Sequence, residues 1–72
     1  MRYEIIKEIK NDCANNQMRD VFFTEEEIPD VDAWIRQKEP FAQEYIREEI
    51  PGGIRYTVIA GEIPTVYTLS EV

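Results

Sequence analysis

The sequence predicts an α+β fold: a small antiparallel, or mixed, sheet with elements in the order β-β-α-β-β-β and one short helix packed on one face. Three observations predict it. β-Branched and aromatic residues gather in short runs separated by turn formers. Only the stretch between Pro29 and Pro40 carries clear helix start and stop signals around an apolar stripe. Finally, Glu-Ile-Pro recurs at Glu27-Ile28-Pro29, Glu49-Ile50-Pro51 and Glu62-Ile63-Pro64. Proline lacks an N–H and biases the preceding residue toward extended backbone, so each tripeptide reads as a strand-like segment reaching an element boundary. The tripeptides are unequally spaced and their flanks do not match, so they mark no repeat architecture.

The first strand is expected over Arg2 to Lys10. Tyr3, Ile5 and Ile9 share one face at period two, with Lys7 between them, while Glu4, Glu8 and Lys10 take the other, interrupted by Ile6. Asn11-Asp12-Cys13-Ala14-Asn15-Asn16-Gln17 is a polar loop of turn formers. Val21-Phe22-Phe23-Thr24 begins a second strand that continues into Glu25 and Glu26 and forms an antiparallel hairpin with the first. The helix runs from Asp30 or Val31 to about Glu39, with Asp30 as N-cap. Val31, Trp34 and Ile35 form its apolar stripe, Asp30 and Asp32 complement the positive end of its dipole, and Arg36 and Lys38 the negative end.

Phe41 to Ile50 fits either a long strand or a second helix. The alternation of Ile46, Glu48 and Ile50 before Pro51-Gly52-Gly53 favours a strand turning back into Ile54–Ala60. Gly61-Glu62-Ile63-Pro64 makes the next turn, Thr65–Leu69 is the final strand, and Ser70-Glu71-Val72 frays. Tyr56 and Tyr67 are placed to form a cross-strand pair on this last hairpin. Trp34 is expected in the core, the rival reading being an exposed interface anchor.

The chain has 72 residues, of which 43% are hydrophobic and 11% aromatic, enough for one thin core over residues 1–72. A chain this short buries only about 60% of its unfolded surface, so its stability is expected to be marginal. Eight basic against 15 acidic residues give a formal charge of −7. Direct nucleic-acid binding and attachment to an anionic membrane are therefore disfavoured, since both rest on Lys and Arg. Arg2, Lys7, Lys10, Arg19, Arg36, Lys38, Arg47 and Arg55 are scattered among acids rather than clustered. Met1-Arg2-Tyr3-Glu4 leads into charged, alternating sequence with no apolar signal core, and one cysteine permits no internal disulfide; a cytoplasmic location is expected.

The absence of histidine removes the commonest general base and the usual transition-metal ligand. Cys13 lies beside Asp12, which disfavours the thiolate that a reactive cysteine needs. Glu25-Glu26-Glu27 with Asp30 and Asp32 is the densest acidic run; its spacing does not match a calcium loop, and Glu44, Glu48 and Glu49 form a second acidic stretch. Gly52-Gly53 is too short to cradle a phosphate. No catalytic residue, cofactor or metal site is expected. The reading is a non-enzymatic protein-interaction module that presents Glu25, Glu26, Glu27, Asp30 and Asp32, or an unpaired strand edge, to a protein with a basic surface. The edge could also pair with a second copy of the chain. Two alternatives stand beside it: an acidic mimic of nucleic acid that blocks a basic groove, and a carboxylate-dependent enzyme or subunit of a larger complex.

Overall fold

A computed structural model describes residues 1–9 and 20–72. The loop expected over Asn11–Gln17, with Cys13, and the basic residues Lys10 and Arg19 lie outside the described residues. Five strands and one helix follow in the expected order: β1 (Arg2–Ile9), β2 (Asp20–Glu27), α1 (Val31–Lys38), β3 (Glu44–Ile50), β4 (Gly53–Ala60) and β5 (Ile63–Glu71). They form one sheet of order β2-β1-β5-β4-β3, antiparallel at every junction. β1 thus pairs on one side with its hairpin partner and on the other with the last strand. Of the two readings of residues 41 to 50, the strand is the one formed, beginning at Glu44.

Strand alternation assigns Tyr3, Ile5 and Lys7 of β1, Tyr56 and Val58 of β4, and Tyr67 and Leu69 of β5 to the same face. The helix covers this face with Val31 and Ile35, and Ile28, in the connection from β2, is buried with them. Ile5, Ile35, Val58 and Leu69 are almost wholly removed from water. Tyr56 and Tyr67 are direct register partners and both are buried, as the sequence anticipates. Trp34 differs from expectation: it is half-buried at the flank of the core. Val31 and Ile35 point at the sheet, which leaves Trp34 at the margin, where its ring meets Tyr67 edge-on with centroids 5.8 Å apart. Ile9, expected on the buried face, is likewise only half-buried.

The helix begins and ends where its signals lie. The Asp30 side chain accepts from the Ala33 N–H at 3.3 Å, and the Glu39 N–H donates to Ile35 O at 3.0 Å. The first two Glu-Ile-Pro segments do mark boundaries, β2 ending at Glu27 and β3 at Ile50. The third does not. Ile63 and Pro64 belong to β5, with Pro64 opposite Ile59, and the turn is confined to Gly61-Glu62. Pro64 is the second residue of its strand, at the hairpin end, where a missing donor disrupts least of the ladder. Gly61 supplies the positive φ of 73° that a two-residue hairpin with glycine at its first central position requires. Ser70 and Glu71, expected to fray, are paired: Glu71 faces Tyr3, and the Val72 N–H donates to Arg2 O at 3.1 Å.

Candidate functional site

The two sheet edges differ in character. β3, at one edge, has Glu44, Arg47, Glu48 and Glu49 spread along it, all exposed, with Ile46 the one exposed apolar side chain among them, and charges distributed along an edge oppose the docking of further strands. β2, at the other, carries three exposed apolar side chains in succession: Val21 at 40%, Phe22 at 53% and Phe23 at 71% of full exposure. Among the described residues no strand pairs with its outer side. The acidic run follows directly along the same strand.

The five acidic residues singled out from the sequence do not converge. Glu25 and Glu27 lie on the sheet face away from the helix, and Glu26 on the helix side, opposite Tyr3. Glu25 pairs with Arg2 at 3.3 Å, and that hydrogen-bonded contact shifts the guanidinium's pKa further upward. Glu27 lies 2.7 Å from the Met1 amino group. Asp30 caps the helix, and Asp32 pairs with Arg47 of β3 at 3.2 Å, tying the helix to that edge. Glu48 of the second acidic stretch pairs with Arg55 at 3.3 Å. Among the described residues, no group of three or more carboxylate or thiol side chains is arranged to hold a metal ion.

Where β2 extends beyond the cover of α1, a groove of about 260 Å³ opens between them. Ile5 and Tyr67 lie toward its sheet side, Phe22 and Thr24 come from β2, and Trp34 and Lys38 from the helix; Lys7 and Glu26 complete the lining. The Lys7 ammonium stands 5.9 Å from the Phe22 ring centroid and 5.6 Å from that of Tyr67, and the Lys38 ammonium 5.6 Å from that of Trp34. The sequence reading missed this groove. Its one signal there was Lys7, a cation interrupting the apolar face Tyr3, Ile5, Ile9.

Beside the groove, Glu39 joins the helix end to the sheet. The Tyr67 hydroxyl donates to Glu39 Oε1 at 2.5 Å, and the Tyr45 hydroxyl donates to the Glu39 backbone oxygen. Burial, followed by the hydrogen bond and charge of Glu39, pushes the Tyr67 phenol well above its ordinary value. This tyrosine is a proton-retaining strut, unsuited to act as a base near neutrality.

Comparison of the chain with protein-family models, with curated proteins and with solved structures finds no match. No helix of the described residues is long and apolar enough to cross a membrane.

Proposed function

We propose that this protein is a non-catalytic interaction module that takes up an extended, basic segment of a partner protein along the outer side of β2. The observation that carries the reading is how the two edges distribute their side chains: β3 has charges along its length, whereas β2 gathers Glu25, Glu26 and Glu27 at one end and exposes an unbroken Val21, Phe22 and Phe23 on a strand whose outer side is unpaired among the described residues. Strand addition would supply main-chain hydrogen bonds, the exposed aromatic residues would supply apolar contact, and Glu25, Glu26 and Glu27 would favour cationic side chains at one end. The mimic reading lacks comparable support, because it needs carboxylates in one row and the acids are divided between the two sheet faces. An enzymatic reading would need converging acids in a cleft, and the groove beside α1 has one carboxylate in its lining.

The test is capture from host lysate at low and high salt, using the wild-type chain and two variants, Phe23→Lys and the pair Glu25→Lys with Glu26→Lys. The expected result is a specific partner released by salt, lost with Phe23→Lys and weakened about tenfold by charge reversal. The partner's segment, made as a peptide with N-methylated backbone, should no longer bind. Capture unaffected by all three changes would remove β2 as the docking edge. A salt-resistant dimer of the chain, lost with Phe23→Lys, would make a second copy the occupant instead.

A further inference from the structure

The groove between α1 and β2 is where this strongly acidic chain brings two cations together with aromatic surface. Lys7 and Lys38 both line it, and among the described residues neither makes an ion pair. The Lys7 ammonium instead lies over the Phe22 and Tyr67 rings and the Lys38 ammonium over the Trp34 ring, contacts that leave N–H donors open to solvent or a ligand. Trp34, from the helix, and Phe22, from β2, both offer flat apolar surface to it. The volume, about 260 Å³, lies just under the usual range for small-molecule sites and suits one or two fused rings.

The lining is also polarised along the strands. Lys7 is opposite Phe22, whereas Glu26 is opposite Tyr3, four positions along the ladder and so about 13 Å away at the rise of a strand. At the Lys7 end two cations outnumber the Glu39 carboxylate, which is itself taken up by the Tyr67 hydroxyl, so that end attracts an anion while the Glu26 end repels it. A ligand with a single negative group at one end of a flat apolar body matches this pattern, and a dianion spanning the groove does not.

We propose that the groove binds a small aromatic monocarboxylate, its ring between Trp34 and Phe22 and its carboxylate bonded by Lys7 and Lys38. The groove lies on the helix side of the sheet and shares Phe22 and Glu26 with the β2 strand, and it takes its ligand with no partner protein present.

The chain has one tryptophan, so the Trp34 indole gives a single, unambiguous NMR signal. The experiment titrates the isolated protein with 1-naphthoate and, separately, with its neutral analogue 1-naphthalenemethanol, following amide and indole shifts. Saturable shifts centred on Lys7, Phe22, Thr24 and Trp34 are expected for naphthoate, with the alcohol at least about tenfold weaker, as loss of a charge-assisted hydrogen bond implies. Lys7→Gln and Lys38→Gln should each weaken naphthoate about tenfold. Thr24→Trp, at an exposed strand position that tolerates an aromatic ring, should fill the groove and abolish binding. Lys38 is exposed near the helix end, so its variant keeps the fold and retains the test if Lys7→Gln does not. Equal affinity for acid and alcohol, shifts centred on the opposite sheet face, no saturation at millimolar ligand, or a folded Lys38→Gln protein binding as tightly as wild type would each overturn the proposal. These titrations use the isolated protein and read the helix-side groove, whereas partner capture is read by Phe23→Lys on the opposite sheet face, so either proposal can fail without the other.

Discussion

Tyr56 and Tyr67 face each other across adjacent strands, yet their hydroxyls meet opposite fates. The Tyr67 hydroxyl has Glu39 as its acceptor, while the Tyr56 hydroxyl is buried and finds no partner among the described residues, as is the case for the Trp34 indole N–H. A buried polar group without a partner loses its hydration and gains nothing in return. Tyr56→Phe is therefore expected to leave stability unchanged or raise it by up to about 1 kcal/mol, measured by urea unfolding. Tyr67→Phe should cost about 1–3 kcal/mol near neutrality, because it strips a part-buried carboxylate of its donor. The pH dependence follows from the raised phenol. The unfolded chain releases this proton near pH 10, while the folded chain still holds it, so above that pH the unfolded state binds fewer protons. Stability from this group is full below about pH 10 and declines as pH rises toward the folded value. Unfolding curves recorded across that alkaline range should show the decline in wild type and a flatter profile in Tyr67→Phe.

Among the elements, the hairpin joining β3 and β4 has the strictest demand on residue type. A side chain at Gly53 would place its Cβ 1.9 Å from the backbone oxygen of Leu69, so the two strands approach as they do only because no Cβ is there. Gly53→Ala should cost at least about 1–3 kcal/mol by forcing β4 away from β5, with loss of amide protection along that junction as the accompanying sign. Asp30→Ala should cost about 1 kcal/mol through the loss of the helix cap. At this scale the sequence was highly legible, since local chemistry decides element type. Asp30 and Pro40 bracket the helix, Pro51-Gly52-Gly53 turns the chain, and β-branched runs form strands. What escaped was set by pairing. Pro64 was read as a boundary because proline usually is one, but its place at the hairpin end lets the ladder include it. Ser70 and Glu71 look like a fraying end because nothing local reveals that β1 lies alongside to receive them.

For the molecule as a whole, the core is thin, and single side chains weigh heavily. Leu69 is wholly buried in the central strand of the sheet, between Ile5 of β1 and Ile54 of β4. Leu69→Ala should cost about 2–5 kcal/mol. At about 0.05–0.15 kcal/mol per residue, that is a large share of the whole stability of so short a chain, and thermal unfolding should begin near ambient temperature. The candidate sites were less legible than the elements, for the same reason that Ser70 and Glu71 were. The acidic run was visible as composition, but alternation sends its members to opposite faces, and the helix cap, the Met1 amino group, Arg2 and Arg47 engage four of them. The β2 edge needed the strand order, and the groove needed the placement of Lys7 between Phe22 and Tyr67, which come from strands far apart in sequence.

The junction of β1 with β5 carries one more consequence, in time rather than in space. β1–β2 forms one unit of antiparallel pairing, and β3–β4–β5 is a meander closed by two short turns; each can organise from near neighbours. The seam between them joins Tyr3 to Glu71, almost the full span of the described chain, and it completes the layer on which the helix rests. Loop-closure entropy must be overcome before that seam returns any stabilisation, so the seam is the late event in folding. On a ribosome, β1 would emerge ahead of β5 and wait, with its apolar face open, for it.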